Sequence, residues 1–215
     1  SEIAGRVSGA EKANKITLLE LLASRAAEDQ IEVVFTAASS EDAEIKAAAL
    51  TALSSIATPN DLPKLVGLLK SETDADDLEK IQEAIIVANS LKGNLASETR
   101  WAMDLLPQLS LEKQMYLYKL MATTGGELAL NKLQDIYETG NVKQKQAVVK
   151  ALNQSVDAAA SGPLLHIARY ASTDKLMDEA LSGYIRLIPA TDGSDVQKVL
   201  MLRNALNLAK DQENI

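Results

Sequence analysis

Cysteine is absent from the 215 residues, which removes disulfides, thiol nucleophiles and thiolate metal ligands and is compatible with either an oxidising or a reducing compartment. Aromatic residues make up only 3% of the chain, so a core must be built from Ala, Leu, Ile and Val, and few rings are left to stack on sugars or bases. Glycine is sparse, ten residues or about 5%, against roughly 7% in average proteins. None of them forms a phosphate-cradling loop, because Gly125-Gly126 and Gly162 stand alone as helix breakers. No apolar run reaches the roughly 18 residues needed to span a bilayer. Positive charge is outnumbered, 22 Lys and Arg against 30 Asp and Glu, for a net charge of −8 and a pI near 4.8. That balance repels phosphate backbones at long range and argues against nucleic acid as a partner. The chain opens at Ser1 without an initiator Met or a signal-like apolar segment, which reads as a trimmed or mature chain, with a secreted or periplasmic location favoured over a cytoplasmic one.

What the chain has in quantity is periodic hydrophobicity. Gln82, Gln114 and Gln146 recur at a step of 32 residues, and Asp178 is next in line. The flanking columns keep that step: Ile85, Leu117, Val149 and Leu181 are apolar, as are Ala88, Leu120, Leu152 and Tyr184. A period of this size means stacked supersecondary units in place of one globular core. With no strand alternation, the expected fold is all-α, an α-α superhelix (solenoid) of about six antiparallel helix pairs. It is expected to run as one array over residues 1–215, with about the first twelve irregular.

Punctuation predicts twelve helices: 13–25, 29–38, 42–57, 61–69, 76–91, 96–106, 111–123, 127–138, 142–156, 163–170, 173–188 and 194–210. Caps and breakers separate them at Ser40-Glu41-Asp42, Thr58-Pro59-Asn60-Asp61, Gly140-Asn141, Ser161-Gly162-Pro163 and Asp192-Gly193-Ser194. The second helix of a pair carries a wide apolar arc, as in Ala47, Ala48, Ala49, Leu50, Ala52, Leu53 and Ile56, and is expected to be almost fully buried. Enlarging Ala48 to Leu should then overpack the layer. Between Leu50 and Ile85 the step is 35 residues, and the surplus is placed in an acidic loop at 71–77.

Leu62-Pro63-Lys64-Leu65-Val66-Gly67-Leu68-Leu69 resembles the first helix of a HEAT repeat, with its LPxLxxLL pattern. Asp42-Ala43-Glu44-Ile45-Lys46-Ala47-Ala48-Ala49-Leu50-Thr51-Ala52-Leu53 is similar to that family's second helix, D-x-x-V-R-x-x-A-x-x-A-L, with Ile and Lys replacing Val and Arg. From Ala96 onwards spacing alone carries the likeness. HEAT and HEAT-like, armadillo-type arrays imply a superhelix whose second helices line a concave platform for protein partners. The Ala-rich, acidic, cysteine-free character is also similar to HEAT-like segments of large secreted or envelope-associated bacterial proteins, some joined to sugar-active domains.

No residue set announces a reaction. His166 is the only histidine, and without a second histidine or a cysteine a zinc site would need an unusual all-carboxylate shell; a packed or solvent-edge role fits it better. Ser161 and Ser172 lack the context of a catalytic serine. Glu72, Asp74, Asp76, Asp77 and Glu79 lack the glycine and the terminal glutamate of a calcium loop and read as helix caps and first-turn acids. Some HEAT-like proteins are DNA glycosylases, and Arg100, Trp101 and Asp104 superficially supply an aromatic platform with charged neighbours, but three residues in one turn do not make a site. Glycoside hydrolysis would need facing carboxylates that no spacing here announces. The chain is therefore expected to be no enzyme and to hold no metal or cofactor.

The remaining candidate is a surface. In the 32-residue register the exposed edge of the second helices would carry Gln82, Gln114, Gln146 and Asp178. One turn later come Ile86, Tyr118, Lys150 and Ser182, followed by Ser90, Ala122, Gln154 and Arg186. This polar ridge, with Ile86 and Tyr118 beside it, suits a protein or peptide partner. The last helix spreads Val199, Leu200, Leu202, Leu206 and Leu208 over much of its circumference, a place for an attached domain or a second copy. Two functions follow: a non-catalytic protein-protein interaction scaffold, or an accessory repeat module of a larger secreted, carbohydrate-active enzyme.

Overall fold

A computed structural model describes residues 9–91, 99–124 and 126–212. Among them are twelve α-helices and no strand: α1 (Lys12–Ser24), α2 (Ile31–Ala38), α3 (Ala43–Ile56), α4 (Leu62–Ser71), α5 (Ala75–Ser90), α6 (Arg100–Leu105), α7 (Leu111–Thr124), α8 (Gly126–Thr139), α9 (Val142–Asn153), α10 (Ser161–Tyr170), α11 (Asp174–Leu187) and α12 (Asp195–Gln212). Most predicted boundaries fall within two residues of these. The expected irregular start and the opening of the 96–106 helix lie largely outside the described residues. The chain divides into two compact units, Ser1–Gly93 and Asn94–Ile215.

Side chains from the predicted breaks start the helices. Asp42 accepts the amides of Glu44 and Ile45 at 3.0 and 3.3 Å to cap α3, and Asp74 accepts that of Asp77 at 3.0 Å to cap α5. Asn141 and Gln144 form a reciprocal capping box at α9. Each supplies a partner for amides that the helix ladder leaves over. At the end of α1 the chain turns through Ala26 at φ 47°, and the Ala27 amide reaches back to the Leu22 carbonyl at 3.1 Å, a left-handed C-terminal cap usually given to glycine.

In the first unit α1, α3 and α5 stack on one another, while α2 packs on α3 and α4 on α5. In the second unit α7, α9 and α11 stack in the same way, with α6, α8 and α10 as their partners and α12 on α11. Each unit is thus a two-layer α-α solenoid. The pairing keeps the expected phase, with Ala43–Ile56 the second and Leu62–Ser71 the first helix of its pair. Complete pairs are α2/α3, α4/α5, α6/α7, α8/α9 and α10/α11; α1 stacks as a second-layer helix, and α12 packs on α11. Leu19 and Leu22 of α1 are buried in the layer of second helices.

The repeat columns form the core. Ile85, Leu117, Val149 and Leu181 are 1, 1, 0 and 6% exposed, and Ala88, Leu120, Leu152 and Tyr184 are equally buried. Each large apolar side chain so removed from water contributes about 1.5–3 kcal/mol. The second helices are less buried than expected on one side. Ala48 is half-buried and floors an open groove of about 370 Å³ between α1 and α3, with Glu20, Thr51 and Ser55 on its walls. Ala49 and Ala52 occupy the packed side instead, so Leu at 48 has room that Leu at 49 lacks.

The acidic 71–77 segment holds α5 to α3. Lys46 of α3 reaches Glu72 at 3.0 Å and Asp77 at 2.7 Å, and Lys80 meets the other oxygen of Asp77 at 3.1 Å. Glu72 also accepts the amides of Thr73 and Asp74. Of the five carboxylates read against a calcium loop, Asp74 serves as a cap and Glu72 and Asp77 belong to this ion-pair network.

Candidate functional site

The exposed edge of the second helices survives in part. On α9, Gln146 and Lys150 are exposed, and on α11 so are Asp178 and Arg186. These helices bury the opposite side, Val148, Val149, Ala151 and Leu152 on α9 and Leu176, Met177, Ala180 and Leu181 on α11. Their packing against each other and against α8 and α10 therefore holds the polar edge on a rigid support.

Tyr118 does not belong to that edge. It is 0% exposed, and its hydroxyl accepts a hydrogen bond from the Gln144 side chain of α9 at 3.3 Å. A large ring at this position packs into the seam with the next second helix, whereas the lysine at position 150 keeps its ammonium in water. Burial pushes the Tyr118 phenol above its ordinary value, and the bond from Gln144 only partly offsets this. Gln114 is half-buried and donates to the carbonyls of Leu106 at 2.9 Å and Leu109 at 3.2 Å, so it ties the chain after α6 to α7. Gln82 and Ile86 are half-buried on α5, in the other unit.

Arg186 also has a structural task. Its guanidinium donates to the Asn153 carbonyl at 2.7 Å and to the Ser155 carbonyl at 2.6 Å. Ser155 is 0% exposed; its hydroxyl donates to the Ala122 carbonyl of α7 at 2.6 Å and accepts the Asp157 amide at 3.1 Å. A three-helix tie results, from α7 through the break after α9 to α11. Gly183 lies at the same crossing: a Cβ there would stand 2.7 Å from Asn153 Oδ1 and 3.2 Å from Asn153 Cα. Reading the sequence missed Ser155 and Gly183. The one available signal was the 33-residue offset from Ala122 to Ser155, which resembles ordinary turn chemistry.

The side chains weighed for chemistry are dispersed. His166 pairs with Glu138 at 3.0 Å and its ring lies 4.9 Å from that of Tyr170, a tie between α8 and α10. Arg100 and Asp104 are exposed and Trp101 is half-buried on the six-residue α6. Among the described residues no group of three His, Cys, Asp or Glu side chains could hold a metal ion, and no helix is long and apolar enough to cross a membrane.

A family profile described as HEAT repeats matches residues 3–86. Over that stretch the chain is similar to HEAT repeats. The match takes in α1 to α4 and most of α5, and the second unit repeats the same alternation of first-layer and second-layer helices. HEAT repeats are commonly protein-interaction scaffolds and typically non-catalytic. No curated protein matches the chain.

Proposed function

We propose that this chain is a non-catalytic interaction scaffold that binds a protein or peptide along the exposed edge of its second helices, chiefly α9 and α11. One observation carries the reading. The 32-residue register that buries Val149 and Leu181 also leaves Gln146 and Asp178, and Lys150 and Ser182, exposed at matching positions of two neighbouring helices. A surface so regular, polar and firmly backed suits recognition with little reorganisation. With Tyr118 in the core, Tyr118→Glu would bury an unpaired carboxylate, disrupt the packing of α7 and report nothing about binding. The informative variant is Lys150→Glu with Asp178→Lys, which alters only exposed side chains. It should abolish capture of the native partner from source extract while leaving the circular-dichroism spectrum unchanged; capture equal to wild type rejects the surface.

A second reading has observational support at the other edge. Val196, Val199, Leu200, Leu202 and Leu206 of α12 are 45–70% exposed, as a helix covered by an attached domain or a second copy would be. The accessory module of a larger secreted, carbohydrate-active enzyme is the form this takes. An immunoblot of the source cells separates the two, since a band near 23 kDa belongs to the free scaffold and a much larger one to the module.

A further inference from the structure

The second position of the second helices α3, α5, α7, α9 and α11 changes sign along the chain. It is Glu44 in α3, Asp76 in α5 and Glu112 in α7, but Lys143 in α9 and Lys175 in α11. Acids are the favourable choice there, because the helix N-terminus carries partial positive charge that repels a lysine. Helix α9 goes further, with Lys143, Lys145 and Lys150 and no acid in its length, inside a chain of net charge −8. Lys145 lies over the Tyr137 ring, 5.3 Å from its centroid. Lys143, Lys150 and Lys175 are exposed and have no carboxylate within ion-pair reach among the described residues. Asp178 is the opposing charge on the same edge of α11.

We infer that the α9–α11 edge receives an acidic, extended segment of a partner protein, with carboxylates seated on Lys143, Lys150 and Lys175. This rests on the scaffold reading above and specifies its partner. Seven residues separate Lys143 from Lys150, about 10 Å along a helix axis at about 1.5 Å per residue. Lys175 stands one helix away, about 8–10 Å by ordinary helix packing. A segment in polyproline-II conformation advances about 3.1 Å per residue with three residues per turn, so acids at every third position share one face and match that spacing. Three unpaired cations brought to one edge, two of them (Lys143 and Lys175) against the helix dipole, find their compensation in such a ligand.

The test uses the full chain and a fluorescein-labelled peptide of four Glu-Ser-Ser repeats, read by anisotropy at low and physiological salt. Saturable binding should weaken at least tenfold in Lys143→Glu/Lys150→Glu/Lys175→Glu and stay within twofold in Lys132→Glu, on the far layer at α8. The triple variant should melt no lower than wild type, because two of its changes place acids where the dipole favours them. The inference is overturned by no binding at low salt, by equal loss in Lys132→Glu, or by tighter binding of a single-stranded DNA of equal charge. Failure with the peptide combined with partner loss in Lys150→Glu/Asp178→Lys would reject the acidic ligand and keep the scaffold.

Discussion

Replacing Ser155 by alanine removes one hydroxyl from the tie between three helices. Its oxygen is fully buried and donates to the Ala122 carbonyl at 2.6 Å. That carbonyl is among the last four of α7, which the helix ladder does not serve. Alanine fits the space without strain, so the perturbation is electrostatic: a buried acceptor loses its donor, at a cost of about 1–3 kcal/mol. The Asp157 amide loses its acceptor as well, but Asp157 lies at the edge, where water can replace it. The backbone carbonyl of Ser155 remains for Arg186. A central value of about 2 kcal/mol corresponds to a melting temperature about 4–8 °C lower in a chain of this size. Urea titration followed at 222 nm and a thermal scan both measure it, with the exposed Ser182→Ala as the reference. Stability within about 0.5 kcal/mol of wild type, the range of ordinary surface changes, would refute the idea that this bond joins the repeats.

Gly183→Ala should lower stability by about 1–3 kcal/mol, because Asn153 Cα stands 3.2 Å from the added carbon and, unlike the side-chain oxygen, cannot rotate away; an unchanged urea midpoint would contradict the close crossing. Ala49→Leu should cost a similar amount by overpacking, whereas Ala48→Leu, beside the open groove, should stay within about 0.5 kcal/mol, and calorimetry of the pair exposes an error if the order is reversed. Lys46→Met should cost about 1–2 kcal/mol at neutral pH, the scale of a partly buried charged hydrogen bond. Burial raises the Glu72 carboxyl, but the amides of Asp74 and Thr73 and the Lys46 ammonium outweigh it and hold it below its ordinary 4.5. A depressed carboxyl stabilises above that value and loses the contribution as pH falls through its lower folded value. The gap between wild type and Lys46→Met should therefore be steady near neutrality and narrow below about pH 4.5; a gap that widens in acid would reject the network.

Core and caps were legible in the sequence because both obey local rules. A column such as Ile85, Leu117, Val149 and Leu181 must be apolar at each step if repeats are to stack, and Asp42, Asp74 and Asn141 stand where helix amides need acceptors. The edge was legible only as far as α9 and α11, because register fixes where a Cα lies and leaves open where a long side chain goes. Tyr118 and Lys150 share one position, yet the ring turns into the seam and the ammonium out to water. Arg186 reads as a free cation until the carbonyls of Asn153 and Ser155 are seen within its reach. The phase of the pairing was legible from α3 onwards, and only the layer of α1 was hidden, for a related reason. The pattern of α1 marks an amphipathic helix without saying which layer it joins.

The most direct measurement is photo-crosslinking in the source cells with a benzophenone amino acid placed singly at Gln146, Asp178, Asn131 and Lys132. The first two lie on the exposed edge of α9 and α11 and the others on the exposed side of α8. One discrete adduct from positions 146 and 178, with none from 131 and 132, is the result the account predicts. Adducts confined to 131 and 132, or none from any position, would contradict the claim that the second helices carry the partner.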